Sequence, residues 1–236
     1  MVPTATRPEP RLLLLFDVDG TLLRAGAAEH GRALREAAAQ VHGIPPLDAV
    51  RVEFAGRTDA NIARDMLAAA GVDGEAADAR WEDVQTAAMD IYRRLCPDDL
   101  SDRVLPGILE LLEALAARPD EFRLSLVTGN LEPLARLKLD RAGLGHFFAA
   151  GQGGFASDHA SRAELPGIAR ERAGGWPRER TVVIGDTPRD IACARADGVH
   201  VAAVATGPFA IEALADADAV VYDARALLPV LEDFAA

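Results

Sequence analysis

The sequence predicts an α/β fold in which a doubly wound parallel sheet carries an all-helical insertion after its first strand. Three observations support this prediction. The apolar run LLLLF at 12–16 is typical of a strand that is buried on both faces of a parallel sheet. Residues 27–95 carry apolar side chains at helical spacing, with no convincing strand between them. From residue 104 onward, short apolar strands alternate with helices, which is the pattern of βαβ units.

The helical part is predicted to form helices over 27–41, 58–70 and 75–95, as the spacing of Ile62, Met66 and Ala70 illustrates. The core that follows is predicted as helix 106–117, strand 123–127, helix 132–142, strand 147–149, helix 163–173, strand 181–184, helix 188–196 and strand 200–204.

These elements predict a core domain of residues 11–23 and 104–236, a helical insertion of residues 24–103 and a flexible N-terminus of residues 1–10. An insertion at the carboxyl end of a strand lies over the crevice where such sheets bind ligands. We therefore expect the helical insertion to act as a lid, hinged near 24–26 and 98–104.

Composition narrows the classes of partner. The chain of 236 residues has 37 acidic and 25 basic residues, a formal net charge of -12, which argues against a nucleic-acid or anionic-membrane surface. A small soluble partner is expected, and nothing indicates the oligomeric state. Cys96 and Cys193 form no paired motif, which favours reduced thiols in a cytoplasmic protein. Lys138 is the only lysine.

Three strands end in polar clusters: DVDGT from Asp17, TGN from Thr128 and GDTPRD from Gly185. Because parallel strands end at one edge of the sheet, these clusters should meet there. Asp17, Asp19 and Asp186 would repel one another without a hard cation, and a few carboxylates with several waters suit Mg²⁺. A bound Mg²⁺ would recruit a phosphate, so the clusters predict a phosphoryl-transfer centre.

The motifs FDVDGTLL, VTGN and VIGDTPRDI, in this order and with a helical insertion after the first, resemble the haloacid dehalogenase superfamily. The resemblance is to the subgroup of phosphoglycolate phosphatases and β-phosphoglucomutases with a helical C1 cap. It covers nearly the whole chain and implies a Rossmann-like core. DxDGT after a hydrophobic strand is a far more specific signal than a lone glycine-rich loop.

The resemblance implies that Asp17 is a nucleophile that forms an aspartyl-phosphate. Asp19 would protonate the leaving alkoxide and later accept a proton from water, and we expect adjacent negative charge to favour its neutral form. Mg²⁺ would be held by Asp17, the backbone carbonyl of Asp19 and Asp186, with Asp190 supporting these ligands. Substrate or phosphate contacts are expected at Gly20, Thr21, Thr128, Gly129, Asn130, Arg162 and Arg57.

One position departs from the usual pattern. Similar enzymes carry a lysine about 25 residues before the equivalent of Asp186 to neutralise the phosphoryl group. Here Arg162 lies 24 residues before it, and a guanidinium can fill the electrostatic role with different geometry. Lys138 is the rival, but we expect it on a solvated helix face.

In the helical insertion, Arg57 precedes a helix that Thr58 and Asp59 would cap, and both substrate contact and a purely structural role remain open for Arg57. His30 is expected to be structural. His159 is the only histidine expected near the site.

The resulting hypothesis is a Mg²⁺-dependent phosphatase acting on a small phosphorylated metabolite, similar to phosphoglycolate phosphatases. A sugar phosphomutase similar to β-phosphoglucomutase is the main alternative, and a non-catalytic phosphate-binding regulator is a weaker one. Asp19 argues against a dehalogenase, which has no alkoxide to protonate. The absence of lysine from residues 24–103 argues against a phosphonatase that forms a Schiff base.

Overall fold

The computed structural model describes residues 11–236, and the predicted N-terminal segment 1–10 lies outside them. The strands are β1 Leu12–Phe16, β2 Phe122–Thr128, β3 Gly154–Phe155, β4 Thr181–Gly185, β5 His200–Val204 and β6 Ala219–Val221. They form one parallel sheet in the order β3-β2-β1-β4-β5-β6. The first strand along the chain is central, so the loop after it opens at the middle of the sheet's carboxyl edge.

The helices of the described residues are α1 Ala28–His42, α2 Asp59–Ala69, α3 Gly74–Ala79, α4 Trp81–Leu95, α5 Ile108–Ala116, α6 Glu132–Arg141, α7 Leu165–Arg172, α8 Pro188–Asp197 and α9 Leu227–Ala235. Along β1, Leu12, Leu14 and Phe16 pack in one buried cluster with α5, α6 and α9. Leu13 and Leu15 pack in the other, with α7 and α8. This two-residue alternation covers both faces of the sheet and confirms the predicted α/β fold class.

Helices α1 to α4 follow β1, and α1 packs against α4 and α2. Their buried residues, such as Leu34 and Tyr92, belong to the same cluster as Phe16. The two connections to the sheet run side by side, since the backbone N of Arg24 donates to the carbonyl of Arg103 at 2.8 Å. The division into domains at these connections stays a prediction. Among residues 11–236, no helix has the length and apolar character needed to cross a membrane.

Two predicted elements are wrong. The helix over 75–95 is two helices, α3 and α4, because the backbone at Arg80 leaves the helical range at φ -114° and ψ 14°. The strand over 147–149 is not formed: Phe147 ends a 3₁₀ turn, residues 148–149 have no regular structure, and the edge strand is Gly154–Phe155. Gly154 is required there, since a Cβ would lie 2.2 Å from the carbonyl oxygen of Leu165.

Candidate active site

Side chains from the ends of three adjacent strands meet in one cavity. Asp17 follows β1, Thr128 ends β2 and Asp186 follows β4, and all three are buried. They line a cavity of about 610 Å³ that also reaches the helical insertion. The cavity lies at the carboxyl edge of the sheet, where the motif spacing predicted a site.

Asp17 and Arg162 are in direct contact. The Asp17 Oδ1 oxygen lies 3.1 Å from Arg162 Nη2, and Arg162 also pairs with Asp190. Burial raises the pKa of Asp17 to about 6, although the guanidinium opposes that rise. Arg162, which the sequence predicts in place of the usual lysine, is therefore the cation that contacts Asp17 in the structure.

The carboxylate of Asp190 supports this arrangement. Its Oδ2 accepts from the Thr187 backbone N at 3.0 Å and from the Thr187 hydroxyl at 2.7 Å, in a capping box at the start of α8. Its Oδ1 accepts from Arg162. Both oxygens of Asp190 thus have partners. Because Thr187 holds this carboxylate in place, Asp190 in turn fixes the Arg162 guanidinium beside Asp17.

Asp186 leaves one carboxylate oxygen free to bind a cation. Thr21 donates to its Oδ1 at 3.2 Å, whereas the buried Oδ2 has no hydrogen-bond partner among the described residues. A Cβ on Gly20 would lie 2.2 Å from that Oδ2, and one on Gly207 would lie 1.7 Å from it. Burial and the nearby charges of Asp17 and Asp190 raise the pKa of Asp186 to about 8.

This donor set fits a small hard cation such as Mg²⁺. Carboxylate oxygens of Asp17, Asp186 and Asp190 lie within 4.8 Å of one another. Since the oxygens of Asp190 are engaged elsewhere, Asp17 and Asp186 are the side chains left to act as ligands. The carboxylate of Asp19 is not in this group.

The structure corrects the expectation for Lys138. Its side chain is 2% exposed, not solvated, and its Nζ donates to Asp19 Oδ2 at 2.6 Å and to Asn130 Oδ1 at 2.8 Å. A buried ammonium requires such partners. The sequence did hold a signal, because Lys138 lies four residues after the buried Leu134 on the apolar face of α6.

Asp19 also differs from expectation. Burial favours its neutral form, but the charges of Lys138 and His30 and the hydrogen bonds from Lys138 and Asn130 outweigh it and lower the pKa of Asp19. The expectation that neighbouring negative charge would favour the neutral carboxyl is therefore wrong. The sequence alone does not show that Lys138 lies beside Asp19.

Asn130 and Thr128 are tied into the same network. Asn130 Nδ2 lies 2.9 Å from Asp19 Oδ2 and 2.8 Å from Thr128 Oγ1, and donates to both. The amide therefore holds Asp19 in this structure, while its expected grip on a phosphoryl group stays a prediction. At Gly129 a Cβ would lie 2.0 Å from the carbonyl oxygen of Arg57, so the close approach that this glycine permits is to the helical insertion.

His30 and Asp59 are residues of the insertion that the sequence analysis took as structural. Lys138 Nζ lies 3.2 Å from His30 Nδ1, and His30 Nε2 faces Asp59 Oδ1 at 2.9 Å, at an angle poor for a hydrogen bond. Asp59 Oδ2 also accepts from the backbone N of Leu131 at 2.8 Å. These contacts connect Asp19 to the insertion, and only tertiary packing brings them together.

The remaining candidates lie at or beyond the edge of the cavity. Arg57 lines it, but its Nη1 pairs with Asp65 Oδ2 at 2.6 Å on α2. His159 is exposed and accepts from the backbone N of Ser161 at 3.0 Å. It is not among the residues that line the cavity.

Comparison with known proteins assigns the family. The family model of haloacid dehalogenase-like hydrolases matches residues 14–195, which span all three strand-end motifs. The chain belongs to this family. It is therefore a hydrolase, and the predicted resemblance is confirmed.

Two curated relatives are named as phosphoglycolate phosphatases. The protein from Rhodospirillum rubrum is 31% identical over 198 residues, which cover 82% of this chain and 79% of the relative. The protein from Chromobacterium violaceum is 28% identical over 195 residues, covering 81% and 84%.

Solved structures share the fold at lower identity. A β-phosphoglucomutase from Clostridium difficile is 18% identical with a TM-score of 0.63, covering 96% of this chain and 97% of that one. CbbY from Rhodobacter sphaeroides, solved in complex with phosphate, is 22% identical with a TM-score of 0.58, covering 93% and 98%.

Proposed function

We propose that this family member is a Mg²⁺-dependent phosphatase that hydrolyses a small phosphate monoester through an aspartyl-phosphate on Asp17. The observation that carries the proposal is the buried contact between Asp17 and Arg162 at the end of the central strand, beside the unpartnered oxygen of Asp186. A carboxylate that only closed a turn would not need this setting. The two relatives named as phosphoglycolate phosphatases support the same chemistry.

In the first step, the Asp17 carboxylate attacks phosphorus, and the bond between phosphorus and the leaving oxygen breaks. Its pKa of about 6 leaves Asp17 ionised at neutral pH. Arg162 stabilises the charge on the phosphoryl oxygens, with Thr128 as a further donor. Asp19 gives its proton to the departing alkoxide.

In the second step, water attacks phosphorus, Asp19 accepts a proton from that water, and the bond between Asp17 and phosphorus breaks to release phosphate. The contact with Lys138 suits this step, because it keeps Asp19 ionised and in place. For the first step Asp19 must be protonated, and the negative charge of an arriving phosphate opposes Lys138 and favours that form.

Mg²⁺ would be held by the carboxylates of Asp17 and Asp186 and the backbone carbonyl of Asp19. When bound, it would neutralise charge on the transferring phosphoryl group. Asp190 acts through Arg162, whose guanidinium it orients.

We also propose that the helical insertion, residues 24–103, acts as a lid that keeps bulk water from the site. Three contacts between the insertion and the sheet loops support this. The backbone N of Asp59 donates to the carbonyl of Gly129 at 2.7 Å, Thr58 donates to that of Ala160 at 2.7 Å, and Arg189 donates to Glu53 at 2.9 Å. The substrate would be a phosphorylated metabolite of the cytoplasm.

The test is phosphate release from phosphoglycolate, glucose 1-phosphate and glucose 6-phosphate, measured with Mg²⁺ and with a chelator. Release that requires the metal is the expected result. Interconversion of the two glucose phosphates without net release would establish the phosphomutase instead. Binding of phosphate without turnover of any ester would favour the regulatory alternative.

A further inference from the structure

The cavity has a second end, formed by the helical insertion, whose chemistry differs from that of the sheet edge. There the lining consists of alanine and glycine at 25–28, together with His30, Gly31, Arg35 and Phe54. None of these side chains is acidic. The one acidic lining residue of the insertion, Asp59, is already bound to the backbone N of Leu131.

Arg35 is the half-buried cation at this end, and it has no carboxylate partner among residues 11–236. No ion pair involves Arg35 within residues 11–236, and its buried Nε has no hydrogen-bond partner there. By contrast, Arg57 and Arg162, which also line the cavity, each pair with an aspartate. In a chain with 37 acidic and 25 basic residues, a guanidinium that lines a cavity and pairs with no carboxylate of the described residues is available to an anion from outside.

The guanidinium is held in place by packing. Its Cζ lies 5.4 Å from the ring centroid of Phe54, within the range of a cation–π contact. Gly31, one turn earlier on α1, leaves room for it, since a Cβ there would lie 3.1 Å from Arg35 Nη1 and 3.2 Å from Phe54 Cζ. A side chain fixed before binding loses less entropy when a ligand arrives.

Arg24 adds positive charge at the exposed rim of the same end. No ion pair with a described carboxylate involves it. Its backbone N donates to the carbonyl of Arg103, so the start of its side chain is fixed relative to the second connection.

We propose that Arg35 determines specificity by binding an anionic group, a carboxylate or a second phosphate, on the leaving-group end of the substrate. This rests on the proposed phosphatase function and narrows it to monoesters whose alcohol part is itself negatively charged. A planar guanidinium can bind a carboxylate or a phosphate through two parallel hydrogen bonds. A neutral sugar would leave the guanidinium without this partner.

The test measures binding rather than turnover, so it does not depend on catalysis. Calorimetry with Mg²⁺ compares 3-phosphonopropionate, which carries a carboxylate, with propylphosphonate, which lacks one; neither has a hydrolysable ester bond. We expect the natural protein to bind the carboxylate-bearing compound about 10- to 100-fold more tightly. Propane-1,3-bisphosphonate, the second-phosphate probe, shows which anion is preferred.

In Arg35→Met, the preference for the carboxylate should disappear, while affinity for propylphosphonate changes less than about twofold. Phe54→Leu keeps the charge but removes the ring that orients it, and should reduce the preference in part. Arg32→Met, which removes an exposed arginine of the same helix, is the matched control and should leave the preference unchanged.

Equal binding of both phosphonates by the natural protein, or an undiminished preference in Arg35→Met, would overturn the assignment. Failure of the proposed function looks different. In that case the natural protein would release no phosphate from any ester, while the preference for the anionic phosphonate would persist and still disappear in Arg35→Met.

Discussion

The two ends of the cavity each present a buried or half-buried charged side chain that has no ion-pair partner among the described residues, and the two side chains have opposite charge. At the sheet edge it is Asp186, whose Oδ2 oxygen also lacks a hydrogen-bond partner, and at the helical end it is Arg35, whose Nε nitrogen lacks one. The first suits a cation and the second an anion. We therefore expect the sheet edge to carry out the reaction and the helical end to determine which leaving group is accepted. Substitutions at the sheet edge should therefore lower the turnover of every substrate.

The largest effect is expected at the nucleophile. In Asp17→Asn the side chain can no longer form the acyl phosphate, so kcat should fall by about 10⁴-fold or more for every substrate. Steady-state phosphate release measures this. Asp83→Asn, an exposed carboxylate of α4, is the matched control and should match the natural protein. Loss of turnover for only some substrates would contradict the separate roles of the two ends, because the sheet edge would then also determine specificity.

A smaller loss is expected when the cation beside Asp19 is removed. Lys138→Met should reduce kcat by about 10²-fold, because Asp19 loses both its position and its charge partner. Since Lys138 helps to lower the pKa of Asp19, its removal should move the acidic limb of the pH profile to higher pH.

A double variant separates this positioning role from a purely structural one. If Lys138 acts through Asp19, adding Lys138→Met to Asp19→Asn should cause little further loss. Losses that multiply, or a pH profile that does not move, would show that Lys138 serves only to fill the core.

The cation site should be sensitive to a single added methyl group. In Gly207→Ala the Cβ would collide with Asp186 Oδ2, at 1.7 Å, so the Mg²⁺ concentration needed for half-maximal activity should rise about 10-fold. Gly167→Ala is the control, because its Cβ would lie 3.6 Å from the nearest atom. That helical substitution should keep the Mg²⁺ requirement and add about 0.5–1 kcal/mol to the free energy of unfolding. An unchanged requirement in Gly207→Ala would place the cation elsewhere.

The smallest effect concerns stability and pH. Burial raises the pKa of Asp17 to about 6 and that of Asp186 to about 8, from an ordinary 3.8. The stability linked to these protonated carboxyls is fully present below 3.8 and is lost as the pH rises through 6 and 8. Mg²⁺ should replace the protons, so it should raise Tm by about 2–4 °C above pH 8 and less below pH 6. Thermal unfolding of Asp186→Asn, expected to show little response to the metal, is the control.

The same contrast explains what the sequence could predict. The strand-end motifs are local, so the sheet, the strand His200–Val204 and the gathering of Asp17, Thr128 and Asp186 could be predicted from short segments. The edge strand Gly154–Phe155 could not, because two residues, one of them glycine, carry no alternating pattern.

The charge state of Asp19 was predicted in the wrong direction, because Lys138 reaches it from a helix more than a hundred residues away. The position of Lys138 on the apolar face of α6 was a usable signal. The contacts of His30 and Arg35 were not predictable from spacing, since they depend on how the insertion packs over the sheet.

The most direct test of the account is detection of the phosphorylated enzyme. The protein is mixed with phosphoglycolate and Mg²⁺, quenched rapidly in acid and digested, and the masses of its peptides are measured by mass spectrometry. The account predicts one added phosphoryl group on the peptide that contains Asp17, and none in Asp17→Asn. Rapid phosphate release with no adduct at Asp17, together with turnover that survives in Asp17→Asn, would contradict it.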